Sequence, residues 1–242
     1  MTTTPDSWKS VDPKDRLAVA LDVPDARLAL DLVDRLKDSC RWLKVGMELY
    51  YAAGNGLIEA LRSRGYRIFL DLKLHDIPNS VAGGIHSVSK VGAELLTVHA
   101  AGGSAMLAAA VEAAKTPGSP RLLAVTLLTS MDAIGLASIG VPDTTVDQVL
   151  RLARLAKKSG INGMVCSADE VALLRAEMGP EAILVVPGIR PAGSSAEDQR
   201  RIATPTEAIA RGASMLVVGR PITRAANPAD AARSILQEIA SA

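Results

Sequence analysis

Residues 67–80 read Arg67-Ile68-Phe69-Leu70-Asp71-Leu72-Lys73-Leu74-His75-Asp76-Ile77-Pro78-Asn79-Ser80. The first six residues predict a strand. Its core is an unbroken apolar run, which is how a strand covered on both faces reads in a parallel sheet. Side chains alternate across a strand, so Asp71 and Lys73 share one side and Leu72 faces the other. Two opposite charges therefore face one cavity at the end of a buried strand. Asp76 follows just past the strand and before Pro78, where it can turn over the mouth of that cavity or reach out of it.

The same kind of run recurs along the chain. Strands are predicted at residues 17–21, 42–45, 67–72, 95–98, 122–127, 163–166, 183–186 and 215–218. The segments between them have helical spacing. Residues 25–37 put Leu28, Leu32, Val33 and Leu36 on one stripe, and residues 146–158 do the same with Val149, Leu150, Leu152, Ala153 and Ala156. Asn227 before Pro228 predicts a helix N-cap with proline at the first helical position. Gly65, Gly92, Gly160, Gly179 and Gly212 read as helix stops.

Eight strands, each followed by a helical segment, predict an α/β fold of the (β/α)8 TIM-barrel type. The expected organisation is one domain over residues 1–242, with residues 1–15 as a polar extension and no linker dividing the chain. An open doubly wound sheet is the alternative. It usually has a glycine-rich turn after its first strand, where this chain has Asp22-Val23-Pro24-Asp25. The loop at residues 187–195 reads as a lid.

Composition narrows the function. The chain has 242 residues, 48% of them hydrophobic, which suffices for one sizeable core. Lys and Arg number 27 and Asp and Glu 26, with no long block of one sign. Charge thus gives no argument for a nucleic-acid or membrane partner. Aromatic residues are 2%, few for a surface that stacks bases. Cys40 and Cys166 lack metal-ligand spacing and read as reduced thiols in a cytoplasmic protein. The N-terminal stretch lacks the apolar run of a signal peptide, and no stretch reaches membrane-span length.

In such barrels the site lies at the C-terminal ends of the strands. There stand Asp22, Lys44, the Asp71–Asp76 run, Thr129 and Ser130, the Pro187-Gly188-Ile189-Arg190 run, Gly219 and Arg220. One Asp–Lys pair is equally readable as a structural ion pair. Several charges converging at the functional end are better explained by chemistry, because buried ion pairs stabilise a fold poorly. Gly219 lets the backbone approach an anion, and Arg220 offers a planar fork for phosphate oxygens, with Gln199 as a neutral donor from the preceding loop. Thr129 and Ser130 are either turn residues or hydrogen-bond partners for a heterocycle. Glu48, at helical spacing from Lys44, reads as a cap or an ion-pair partner. Isolated His75, His86 and His99 do not make a metal site.

DLKLHDIPNS at residues 71–80 closely resembles the signature of the orotidine 5′-phosphate decarboxylases. The resemblance extends through ALD (20–22), VGMELY (45–50), VHAAGG (98–103), LTSM (128–131), PGIR (187–190) and VVGRPIT (217–223), in the family's order. Asp-x-Lys-x-x-Asp alone is shared with related sugar-phosphate enzymes; its combination with PGIR and VVGRPIT is specific.

The resemblance implies removal of CO2 from orotidine 5′-monophosphate, giving uridine 5′-monophosphate without a cofactor or metal. It implies that Asp22 and Lys44 bind the ribose hydroxyls, that Asp71 stands next to the substrate carboxylate, and that Lys73 protonates the ring carbon. Asp76, with Ile77 and Ser80, would reach the neighbouring subunit's site in a homodimer. Thr129 or Ser130 would contact the pyrimidine, and Arg190, Gln199, Gly219 and Arg220 would grip the phosphate. Ser80 departs from the family's more common threonine, which keeps the hydroxyl and loses a methyl. The rivals are a Mg2+-dependent enzyme of keto-sugar phosphates on the same barrel, a non-catalytic nucleotide binder, and a purely structural barrel.

Overall fold

The computed structural model describes residues 11–191 and 203–242. Among these residues, eight parallel strands close into a barrel in sequence order, with β1 pairing β8. The strands are β1 (Leu17–Ala20), β2 (Trp42–Gly46), β3 (Arg67–Leu74), β4 (Leu95–His99), β5 (Arg121–Val125), β6 (Gly163–Val165), β7 (Ile183–Val186) and β8 (Met215–Val218). The helices that return the chain between strands are α1 (Ala26–Leu36), α2 (Met47–Ser63), α3 (Pro78–Ser89), α4 (Gly103–Ala113), α5 (Ala133–Ser138), α6 (Thr145–Lys158), α7 (Val171–Met178) and α8 (Pro205–Ala210). A one-turn helix α9 (Arg220–Thr223) and the closing helix α10 (Pro228–Ala240) follow β8.

Alternation explains the unbroken apolar runs. Ala18, Trp42, Phe69, Leu123, Ile183 and Met215 form an inward cluster that fills the barrel. Their neighbours Val19, Leu43, Leu70, Leu184 and Leu216 belong to the second cluster, packed beneath the helices. The middle of each strand is buried on both faces, so the runs there are apolar on both.

Asp25 caps α1 by accepting from the Leu28 amide at 2.8 Å. Its buried stripe is Ala29, Leu32, Val33 and Leu36. Leu28 was expected on that stripe but is 37% exposed. At 3.6 residues per turn it lies about 90° from the stripe's centre, on its edge. In α6, Val149, Leu152, Ala153 and Ala156 are buried and Leu150 only partly so. Asn227 caps α10 ahead of Pro228. Gly65 and Gly212 take φ of 88° and 104° just past α2 and α8, a left-handed stop that side chains disfavour.

Two strand ends lie two residues from expectation and the others at most one. β5 stops at Val125 because its partner β6 is three residues long and their register ends at Val125↔Val165. β3 runs on to Leu74 because it re-pairs with β4 after a bulge. The two strands are in register at Leu70↔Leu96 and again at Leu74↔Val98. Asp71, Leu72 and Lys73 thus stand opposite Thr97 alone, and Lys73 takes a left-handed φ of 48°.

The barrel's seam joins chain segments far apart in sequence. The Leu216 amide donates to the Arg16 carbonyl at 2.8 Å. The described part of the polar extension, residues 11–15, is also pinned: Asp12 and Asp15 pair with Arg41, and the Lys14 ammonium donates to the Asp38 carbonyl at 2.8 Å. No helix among the described residues is long and apolar enough to cross a membrane.

Candidate active site

The inward rows of the strands continue past their apolar residues into charge. Above Ala18 and Ala20 in β1 comes Asp22; above Trp42 in β2 comes Lys44; above Phe69 in β3 come Asp71 and Lys73. These side chains line a cleft of about 260 Å³ at the C-terminal end of the barrel. Ala20, Phe69, Val125, Val165 and Val217 line its apolar part. Thr129 lines it from the segment after β5, Gly188 and Arg190 from the segment after β7, and Gly219 and Arg220 from the segment after β8.

The charges form a chain of alternating sign. Lys44 Nζ donates to Asp22 Oδ1 at 2.9 Å and lies 3.8 Å from Asp71 Oδ2. Lys73 Nζ donates to the other oxygen, Asp71 Oδ1, at 2.8 Å. The Lys44 and Asp71 side chains are only 10% and 15% exposed. Removing either partner from such a pair would strand a desolvated charge, so the array holds itself in place. A Cβ on residue 46 would stand 3.3 Å from Lys44 Nζ, and glycine keeps that space open.

Asp71 and Lys73 share the cleft as alternation predicts, but through the bulge rather than a regular pleat. The Thr97 hydroxyl fills the gap in the ladder. It accepts from the Lys73 amide at 2.8 Å and donates to Asp71 Oδ1 at 3.0 Å. Sequence reading missed Thr97. Its one signal was a hydroxyl inside the apolar run Leu95-Leu96-Thr97-Val98.

Opposite the charge array, Arg190 is 7% exposed and donates from Nη1 to the Ile189 carbonyl at 2.9 Å. Its backbone amide donates to the Ala203 carbonyl at 3.0 Å, which ties the segment after β7 to the one leading into α8. Gly219 caps α9, and such a one-turn helix after the eighth strand often completes a phosphate site in this fold.

Other expected residues lie elsewhere. Asp76, Ile77 and Ser80 are exposed at the start of α3 and do not line their own chain's cleft. Asp76 Oδ1 accepts from the Ile77 amide at 2.6 Å. Ser130 is exposed and lines a neighbouring cavity, whereas Thr129 lines both. Glu48 is exposed in the first turn of α2. Gln199 and residues 192–195 of the expected lid lie outside the described residues.

His75 and His99 stack with ring centroids 5.1 Å apart beside Lys73, and His86 lies apart in α3. His99 Nδ1 is buried without a hydrogen-bond partner. Burial, then His75, then Lys73, hold His99 below the usual histidine range. The unfolded chain therefore binds this proton more readily than the folded one. The stability contribution is intact above about pH 6.5 and is lost as pH falls toward the depressed folded value. Urea midpoints of the wild type and His99→Phe at pH 8 and pH 5 check this. The wild type is expected to lose more on acidification; equal losses would refute it.

Comparison with known proteins agrees with this geometry. The family model described as "Orotidine 5′-phosphate decarboxylase / HUMPS family" matches residues 15–235. The orotidine 5′-phosphate decarboxylase of Gluconobacter oxydans is 50% identical over 232 residues, covering 94% of this chain and 98% of that one. That of Afipia carboxidovorans is 49% identical over the full length of both chains. The crystal structure of orotidine 5′-phosphate decarboxylase from Lactobacillus acidophilus superposes with a TM-score of 0.83 at 40% identity, covering 93% of this chain and 99% of that one. A closed barrel of this order, with paired lysines and aspartates at its mouth and a family match from the first strand to the last helix, has one reading: the chain belongs to the orotidine 5′-phosphate decarboxylase / HUMPS family.

Proposed function

We propose that this protein is a carboxy-lyase that converts orotidine 5′-monophosphate to uridine 5′-monophosphate in pyrimidine biosynthesis, with Lys73 as proton donor to the pyrimidine C6. The observation that carries the reading is the Lys44–Asp71–Lys73 array facing Arg190 and Arg220 across one cleft. A nucleotide with a carboxylate on its base and a phosphate at its far end matches both walls.

The chemistry follows from the charges. When the C6–carboxylate bond breaks, CO2 leaves and the electron pair stays on C6 in an in-plane orbital that the ring delocalises poorly. A fixed ammonium beside C6 stabilises that pair as it forms, and needs no reorganisation to do so. Lys73 then gives a proton to C6 and becomes a neutral amine. Asp71, held between two ammonium groups, fixes the position of Lys73. Asp22 and Lys44 take the ribose hydroxyls, Thr129 or Ser130 the pyrimidine, and Arg190, Gln199, Gly219 and Arg220 the phosphate. Phosphate binding supplies energy that orients the distant reacting end.

Asp76 acts in a neighbouring subunit's site in a homodimer, with Ile77 and Ser80. Its absence from its own cleft supports this, as does the exposed apolar surface nearby on consecutive elements: Met47 is 44%, Tyr51 75% and Ile77 67% exposed. The buried, unpaired Cys40 and Cys166 support a reducing, cytoplasmic location.

The test is the ultraviolet absorbance of orotidine 5′-monophosphate mixed with the protein in excess EDTA. Loss of substrate absorbance, with uridine 5′-monophosphate recovered, is the expected result and separates this reading from Mg2+-dependent chemistry on keto-sugar phosphates. No change with folded protein would overturn it.

A further inference from the structure

The bulge in β3 places Lys73 where a regular strand would not. A surplus of backbone opposite Thr97 leaves the Lys73 amide without a ladder partner, and a buried amide without a partner is costly. The Thr97 hydroxyl supplies that partner at 2.8 Å. The same oxygen donates its own proton to Asp71 Oδ1 at 3.0 Å, the oxygen that also receives the Lys73 ammonium. Thr97 is fully buried and does not line the cleft, so it has no route to the substrate. One hydroxyl thus ties the backbone of the lysine to the carboxylate that holds its side chain. It also braces a left-handed φ of 48° that a lysine adopts only when its surroundings enforce it.

We propose that Thr97 is a positioning residue for decarboxylation: its hydroxyl locks the β3 bulge and thereby sets where the Lys73 ammonium stands relative to Asp71. This rests on the reading of Lys73 as the proton donor. Thr97 contributes to the transition state only through Lys73 and Asp71, so its loss lowers kcat and leaves nucleotide binding nearly intact.

The experiment compares Thr97→Val, which keeps shape and removes the hydroxyl, with Thr97→Ser, which keeps the hydroxyl. Steady-state decarboxylation, uridine 5′-monophosphate titration and thermal melting are measured on each, with Lys73→Ala alongside. The valine variant is expected to lose roughly 10- to 100-fold in kcat, the worth of a hydrogen bond to a charged group, with KM and product affinity within about threefold. The serine variant is expected to recover kcat to within about threefold of wild type. Wild-type kcat in the valine variant, or equal losses in both variants, would overturn the proposal. So would a loss that merely tracks the fraction of folded protein. If the valine variant does not fold, Thr97→Cys, with a thiol that hydrogen-bonds only weakly, takes its place with the same outcomes. An inert Lys73→Ala beside an unimpaired valine variant sinks the Thr97 inference alone. An active Lys73→Ala sinks the functional reading beneath it.

Discussion

Lys73→Ala is expected to lower kcat by at least about 10⁴-fold, because in the proposed mechanism it removes both the charge that stabilises the C6 carbanion and the acid that quenches it. Folding should survive. Asp71 keeps Lys44 at 3.8 Å and the Thr97 hydroxyl at 3.0 Å, so its carboxylate is not abandoned. Single-turnover decarboxylation with excess enzyme reads the chemical step directly. Uridine 5′-monophosphate titration reads whether the cleft still forms. The expected result is a dead chemical step in a cleft that binds product. Full activity in the variant would refute the role of Lys73.

Arg220→Ala is expected to cost roughly 100- to 1,000-fold in kcat/KM, the worth of two charge-assisted hydrogen bonds to phosphate. In the proposed binding mode the reacting carbon is at the other side of the cleft, so the defect is expected to depend on the phosphate. Orotidine, the same nucleoside without that group, supplies the second arm of a double-mutant cycle. On it the wild type and the variant are expected to be equally poor catalysts. A defect that persists undiminished on orotidine would show that Arg220 supports the barrel rather than the substrate.

What the sequence made legible follows from simple periodicity. An apolar run ending in Asp71-Leu72-Lys73, beside one ending in Lys44, determines which charges share a cavity once the strands are parallel and adjacent. The barrel followed from repeating that unit. A local rule placed the Asn227 cap, since its side chain acts on an amide three residues away. What stayed hidden depends on distant segments. The bulge exists only in the register between β3 and β4, so neither strand alone predicts the role of Thr97. The stacking of His75 on His99 needs the same register. Thr129 and Ser130 are neighbours in sequence, and only the path of the chain after β5 separates the one that lines the cleft.

The seam between β1 and β8 has a consequence for how the chain is born. Arg16 reaches the Ser214 carbonyl across 198 positions, and β1 has no second neighbour until β8 exists. During synthesis at about 5–20 residues per second, that first strand waits roughly 10–40 s with an open edge. The last structural partner of the first strand thus leaves the ribosome only after the rest of the barrel has been made. Any nascent intermediate carries an unpaired apolar strand until then, a stage at which a chaperone has something to hold.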